Sequence, residues 1–254
     1  MTTARPQLSI VIPAYNEAGR IGPTLDAVLA CFRETCIVLE VIVVDDGSED
    51  DTVELVTRYA EAHSGHPVRL VRNGANRGKG YSVRHGVLEA EGEVVLFSDA
   101  DGSTPFGEAG KLLSALADGQ ADVAIGSRAM AASDLARPQP WGRRVMGWVF
   151  RNLVRLIVVR GFQDTQCGFK AFRREVARDV FGRQTLDGFA FDVEVLFLTR
   201  RLGYRVAEVP VRWLDSRHSR VRVGRDSLKM FLDLFRIRLR ALRGRYRQIQ
   251  GARP

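Results

Sequence analysis

The sequence predicts a doubly wound α/β fold built on a mostly parallel sheet. Five short runs rich in β-branched residues recur in the first half: Leu8–Ile12, Leu39–Val44, Val68–Val71, Val94–Phe97 and Val123–Ile125. They are largely apolar rather than strictly alternating, the pattern of parallel strands covered on both faces. Stretches with helical periodicity separate them, so strand and helix alternate. A chain of 254 residues that is 45% hydrophobic can bury a large core.

Taken in order, the first strand leads into "PAYNE" (Pro13–Glu17) and a helix expected over Arg20–Glu34. The second leads into "DDGS" (Asp45–Ser48) and a helix over Asp51–Ala62. After the third come "NGANRGKG" (Asn73–Gly80) and a helix over Gly80–Ala90. The fourth leads into "SDADGS" (Ser98–Ser103), and Pro105 suits the first turn of a helix running to Ala117. The fifth ends in "GSR" (Gly126–Arg128). Ligands of such sheets bind beyond the carboxyl ends of the strands, so these five polar segments are expected to open on one crevice.

Past Arg128 the rhythm changes. A Pro-containing loop, "DLARPQPWGRR", leads into a basic amphipathic segment and then "DTQCGFKAFR". A helix near Phe191–Leu202, a strand near Arg205–Trp213 and a basic amphipathic C-terminal helix follow. We read 1–254 as one domain, with a ligand-holding half at 8–128 and a second half at 129–247.

Charge divides the two halves. Met1–Ser127 holds 10 Lys and Arg against 19 Asp and Glu, a net of −9, whereas Arg128–Pro254 holds 28 against 11, a net of +17. The second half is therefore expected to meet something anionic, with a solvated basic face as the plainer alternative. Cys31, Cys36 and Cys167 make an odd set without metal spacing, which fits a reducing, cytoplasmic compartment. The N-terminal residues contain no apolar leader segment. No apolar run reaches the ~18–20 residues of a membrane span. The nearest, Val145–Val159, is interrupted by Arg151, Asn152 and Arg155.

In "DDGS", Gly47 permits a tight turn, and Asp46 after a strand can accept from a ribose hydroxyl or a base N–H. The alternative is a helix N-terminus capped by Ser48. A dinucleotide fingerprint would require G-x-G-x-x-G after the first strand, where "PAYNEAGR" stands instead. Asp99 and Asp101 share one side of an extended segment and make a hard-oxygen site for Mg²⁺ or Mn²⁺. Such a cation would relieve their repulsion and neutralise a diphosphate leaving group. The competing reading of this D-x-D is an Asx-turn before the next helix. Arg128 is read as a phosphate ligand ahead of a structural ion pair, since a guanidinium matches phosphate bidentately. Arg143, Arg144 and Lys170 extend the basic series.

On a helical wheel, Asp226, Lys229, Asp233, Arg236, Arg240 and Arg243 fall on one arc of about 100° and the rest is largely apolar. Arg144, Arg151 and Arg155 likewise share a stripe. Two such helices in the basic half point to an anionic membrane surface, against the alternative of packing on the protein's own core. Nucleic acid is not an expected partner, because the basic residues alternate with aliphatics and no aromatic stacking platform or nucleic-acid motif is present.

"VIPAYNE", "VDDGSEDDT", "NRGKGYSVRHG", "SDADGS", "GSR", "DTQCGFKAF", "FDVEVLFL" and "EVPVRW" occur in one order, from about Leu8 to Arg247. Together they resemble family 2 glycosyltransferases of the GT-A fold, and within them the polyprenyl-phosphate sugar synthases. The resemblance implies a metal-dependent, inverting transfer of glucose from UDP-glucose to a dolichyl-type polyprenyl phosphate. A GDP-mannose-dependent mannosyltransferase is the nearest alternative. A nucleotidyltransferase, or a peripheral membrane or nucleic-acid binding module, would be of another class.

The resemblance assigns roles to particular residues. Pro13, Ala14, Tyr15, Glu17, Asp46, Gly47, Lys79 and Ala100 would line the nucleotide-sugar site. Asp99 and Asp101 would bind the metal and the sugar diphosphate. Arg128, with Arg143, would receive the lipid phosphate, and Asp164 and Gln166 would lie near the reacting sugar. Some relatives carry a third metal ligand where this chain has Ser103. Relatives with membrane helices imply that here the two amphipathic segments hold the enzyme to the cytoplasmic face of a membrane.

Overall fold

The computed structural model describes residues 5–63, 68–130, 133, 141–214 and 225–246, without the side chains of 141–146, 148 and 225. Its strands are β1 (Leu8–Ala14), β2 (Leu39–Asp45), β3 (Val68–Arg72), β4 (Val94–Ser98), β5 (Val123–Ser127), β6 (Phe169–Arg173) and β7 (Val206–Pro210). The helices are α1 (Ile21–Phe32), α2 (Thr52–Ala62), α3 (Lys79–Glu89), α4 (Ala109–Ala117), α5 (Trp141–Ile157), α6 (Arg174–Phe181), α7 (Phe191–Arg201) and α8 (Arg225–Leu242). Pro105 stands just ahead of a 3₁₀ turn, Phe106–Glu108, that runs into α4.

The strands form one sheet in the order β3-β2-β1-β4-β6-β5-β7. β1 runs parallel to β2 from Leu8↔Leu39 to Ala14↔Asp45, and to β4 from Leu8↔Val94. β2 with β3 and β5 with β7 are also parallel. The mostly parallel sheet is thus as expected, and the carboxyl ends of β1 to β5 share one edge.

One strand was not anticipated as such. β6, from "GFKAF", lies antiparallel between β4 and β5. Running the other way, it begins where its neighbours end, and the amide of Asp99 donates to the carbonyl of Gly168 (3.2 Å). The segment leading into β6, Asp164–Gly168, is thereby delivered to the crevice edge.

Alternation along each strand sends side chains to opposite faces. Val11, Val44, Phe97 and Phe172 join a cluster with α3, α5, α6, α7 and α8 residues. Ile10, Ile12, Val43, Leu96 and Phe169 join a second cluster with α1, α2 and α4. Both faces of the sheet are covered, which explains the continuous apolar runs.

The C-terminal helix departs from its wheel. Met230, Asp233, Leu234 and Ile237 are buried, while Leu228, Leu232, Phe235, Leu239 and Leu242 are exposed. The apolar surface is therefore two faces, one on the core and one pointing away from it. Asp233, expected on the outer charged arc, is 2% exposed and accepts from Arg236 Nη1 (2.7 Å). Met230, Asp233, Leu234 and Ile237 stand at i, i+3, i+4 and i+7, so Asp233 shares the face that packs on the core.

Candidate active site

The crevice is built by bonds between successive strand-end loops. Asn16, at φ 53, donates its amide to Ser48 Oγ (2.9 Å) and accepts from the Glu49 amide (2.8 Å). The Glu17 amide donates to Thr52 Oγ1 (2.8 Å). Ser48 therefore joins two loops and does not cap α2; the Thr52 amide, in the first turn, instead donates to Asp50 (3.1 Å). Pro13 and Ala14 close β1 opposite Val44 and Asp45, and half-buried Tyr15 follows them. The Glu17 carboxylate is gripped by Arg20 through Nε (2.6 Å) and Nη2 (2.7 Å).

Asp46 organises the β3–α3 loop. Its carboxylate accepts from Asn73 Nδ2 (2.8 Å) and from the amides of Arg77 (2.9 Å) and Gly78 (2.8 Å). Both oxygens are thus engaged in holding the loop that presents Lys79. Gly47, at φ 75, lies beneath the same loop, where a Cβ would meet Ala75 C and Asn76 N at 2.7 Å.

Four charges alternate at the end of β4. Lys79 Nζ lies 2.6 Å from Asp99 Oδ1. Lys170, wholly buried on β6, donates to the Cys167 carbonyl (2.6 Å) and pairs with Asp192 at the start of α7. Burial opposes the charge of Lys79, but Asp99, Asp192 and Asp101 outweigh it and raise its pKa. Burial raises the pKa of Asp192 against the pull of Lys170 and Lys79. Asp101 accepts from the Ser103 amide (3.0 Å), so the Asx-turn of the competing reading is present, and it leaves further lone pairs on the carboxylate. Ser103 is buried. Between the two aspartates, buried Ala100 is tied through its carbonyl to Thr24 Oγ1 (2.8 Å). Gly168 is required beside Asp99, because a Cβ there would lie 2.3 to 2.4 Å from the carboxylate.

At the end of β5, Arg128 meets Asp164. Nε lies 2.6 Å from Oδ2, Nη2 2.9 Å from Oδ1, and the backbone amide 3.1 Å from Oδ2. The ion pair ranked second in the sequence reading is what forms. Burial opposes charge on both groups, and their mutual attraction prevails, holding Asp164 well below the usual carboxylate range and Arg128 fully charged. The guanidinium also lies over Trp213, 5.6 Å from the ring centroid. Asp164 is itself positioned by Glu208, which accepts its amide (2.8 Å), and it receives the Gln166 amide (3.1 Å). Arg143 falls on α5 with its side chain outside the described residues.

The structure thus brings Asp46, Lys79, Asp99, Asp101, Arg128 and Asp164 to one edge. Sequence reasoning missed Asp192 and assigned Lys170 no role. A signal was available: each is a charge inside an apolar run, "GFKAF" and "FDVEVLF", where burial demands a partner. It also gave no reason for Gly78 and Gly80. Added Cβ atoms there would lie 2.5 Å from the Asp187 carbonyl and 2.6 Å from the Leu186 carbonyl.

Asp99 and Asp101 suit a hard divalent cation. Asp99 keeps 35% side-chain exposure and already attracts an ammonium group. Among the described residues no cluster of three or more His, Cys, Asp or Glu could hold a metal, so a cation here would take its other ligands from water and a diphosphate.

The seven-stranded, mostly parallel sheet flanked by helices has the fold of GT-A glycosyltransferases. Its likeness to solved members is extensive. Mannosyl-3-phosphoglycerate synthase from Rubrobacter xylanophilus matches with a TM-score of 0.71, 22% identity, and coverage of 97% of this chain and 77% of that one. Glucosyl-3-phosphoglycerate synthase from Mycobacterium tuberculosis, solved with Mn²⁺, UDP and glucosyl-3-phosphoglycerate, matches at 0.67 and 23% identity, covering 92% and 79%. Residues 9–181 match Glycosyl transferase family 2. This chain belongs to that family and is a glycosyltransferase. Among curated relatives, the dolichyl-phosphate beta-glucosyltransferase of Drosophila melanogaster is 41% identical over 95% of this chain and 77% of its own length. The protein of the same description from Homo sapiens is 37% identical over 95% and 78%.

Proposed function

We propose that this chain transfers glucose from UDP-glucose to a dolichyl-type polyprenyl phosphate, with inversion, at the cytoplasmic face of a membrane. The observation that carries the reading is the identity to dolichyl-phosphate beta-glucosyltransferases along 95% of the chain. The crevice suits it chemically. A phosphate monoester with a second pKa near ~6 is largely dianionic at neutral pH and needs no strong base to attack. The requirements are to hold two anions together and to stabilise the departing diphosphate. Arg128 uses Nε and Nη2 for Asp164, so its Nη1 edge remains for the acceptor phosphate, with Arg143 a second candidate. Asp164, kept ionised, orients Arg128 rather than accepting a proton, and it fixes the backbone of Gln166 beside the sugar. Lys79 stands where the donor diphosphate would lie, and Pro13, Ala14, Tyr15, Glu17, Asp46 and Gly47 shape the nucleoside end. A Mg²⁺ or Mn²⁺ ion held by Asp99 and Asp101 would neutralise the leaving group.

Membrane contact falls to α5 and α8. Among the described residues no helix is long and apolar enough to cross a bilayer. Leu228, Leu232, Phe235, Leu239 and Leu242 form an exposed row at helical spacing on α8, bordered by Lys229, Arg236 and Arg238. That arrangement matches a helix lying in an anionic interface.

The test incubates the protein with labelled UDP-glucose or GDP-mannose, Mg²⁺ or Mn²⁺, and a short polyprenyl phosphate. Label entering the organic phase from UDP-glucose, and its loss in Asp101→Asn, are expected. Transfer from GDP-mannose alone would reassign the sugar, and transfer from neither donor would refute the reading.

A further inference from the structure

We propose that Lys79 is a tethered counter-ion: it occupies the cation position beside Asp99 in the unloaded enzyme and yields it to the divalent metal when the diphosphate enters. This inference rests on the metal reading of Asp99 and Asp101.

Two features fix where Lys79 starts. Its backbone is wedged against the 184–191 segment, since Gly80 and Tyr81 both donate to the Asp187 carbonyl (2.8 and 3.2 Å) and Gln184 Nε2 donates to the Gly80 carbonyl (2.8 Å). Glycine on either side allows that approach, as side chains at 78 or 80 would strike backbone carbonyls. The ammonium group then reaches Asp99 at 2.6 Å and passes over Phe191, 6.0 Å from its centroid.

Two further observations and the general flexibility of lysine make the position exchangeable. Lys79 keeps 22% of its side chain exposed, whereas Lys170 keeps none and is fixed by the Cys167 carbonyl and Asp192. Asp192 and Asp101 both act on Lys79, so its charge does not depend on Asp99 alone. An ammonium on a flexible four-carbon stem can swing to a new anion. A divalent cation arriving at Asp99 would repel an ammonium so close, and a diphosphate gives the displaced group a partner. Lys79 thereby suppresses metal capture without donor and favours metal and diphosphate together.

Mn²⁺ binding, read by the electron paramagnetic resonance of the free ion, tests this without turnover. Without nucleotide, Lys79→Met should bind Mn²⁺ at least about fivefold more tightly than wild type, because one repelling charge is gone. With UDP the order should reverse, since the diphosphate loses its ammonium partner. Lys79→Arg should keep the wild-type order. A merely structural role would move both affinities in one direction. Equal or weaker Mn²⁺ binding without UDP, in a variant with wild-type circular dichroism, overturns the inference while leaving the metal reading intact. No Mn²⁺ binding by either protein, even with UDP, overturns both. Lys79→Gln supplies the same comparison if Lys79→Met does not fold.

Discussion

Asp164 receives three N–H groups of Arg128 and one of Gln166 while only 3% exposed. A carboxylate so enclosed is tolerable only because its partners are charged or well aligned. Removing its charge strands the Arg128 guanidinium, so Asp164→Asn should lose about 3–5 kcal/mol of stability in urea unfolding at neutral pH. The sign of the pH dependence follows from the lowered pKa of Asp164 in the fold. Its stabilisation is present above the ordinary aspartate value of ~3.9 and is lost as pH falls below it. The gap between wild type and Asp164→Asn should therefore narrow on acidification. A gap independent of pH would show that the pair is not the source. At this scale the sequence singled out Arg128 and ranked phosphate ahead of an ion pair, but it did not name the carboxylate that Arg128 meets. Its partner lies 36 positions away, beyond any local periodicity.

At the scale of elements, α8 is the informative case. Its composition described a basic helix with broad apolar coverage, and both competing readings, core packing and membrane contact, turn out to have separate faces available to them. Leu234 and Ile237 are wholly buried, whereas Leu232 and Phe235 are 45% and 50% exposed. Leu234→Ala should cost about 2–5 kcal/mol of stability and leave vesicle binding unchanged. Leu232→Ser with Phe235→Ser should leave the thermal midpoint nearly unchanged and reduce sedimentation with phosphatidylserine vesicles. Undiminished sedimentation would return the outer face to ordinary solvent exposure. The strand signals of β1, β2, β4 and β5 were plain because those strands are largely apolar and buried on both faces. β6 was hidden because its five residues include Lys170 and end in Arg173, so no local pattern separates it from a loop. The lysine that obscured β6 is wholly buried there, and its charge is met by Asp192.

Over the whole molecule, acidic and basic halves share one sheet. β6 and β7 from the second half pair with β4 and β5 from the first, so neither half completes its sheet alone. We infer that 1–254 unfolds as one cooperative domain. All three tryptophans, Trp141, Trp148 and Trp213, lie in the basic half, while most of the strand residues lie in the acidic half. Tryptophan fluorescence and far-ultraviolet circular dichroism should therefore report one urea midpoint. Separated midpoints would mark two independent units.

The linear order of strands, helices and strand-end motifs was enough by itself to predict the α/β class, the shared edge of the crevice and the family resemblance. Those features are local: each depends on a run of residues and the turn that follows it. Tertiary structure alone decided the pairings, with Asp164 on Arg128, Lys79 on Asp99, Lys170 on Asp192, and the two faces of α8. Partners of opposite charge are chosen by distance and burial, and the antiparallel strand between β4 and β5 brings Lys170 to Asp192 and the segment before it brings Asp164 to Arg128.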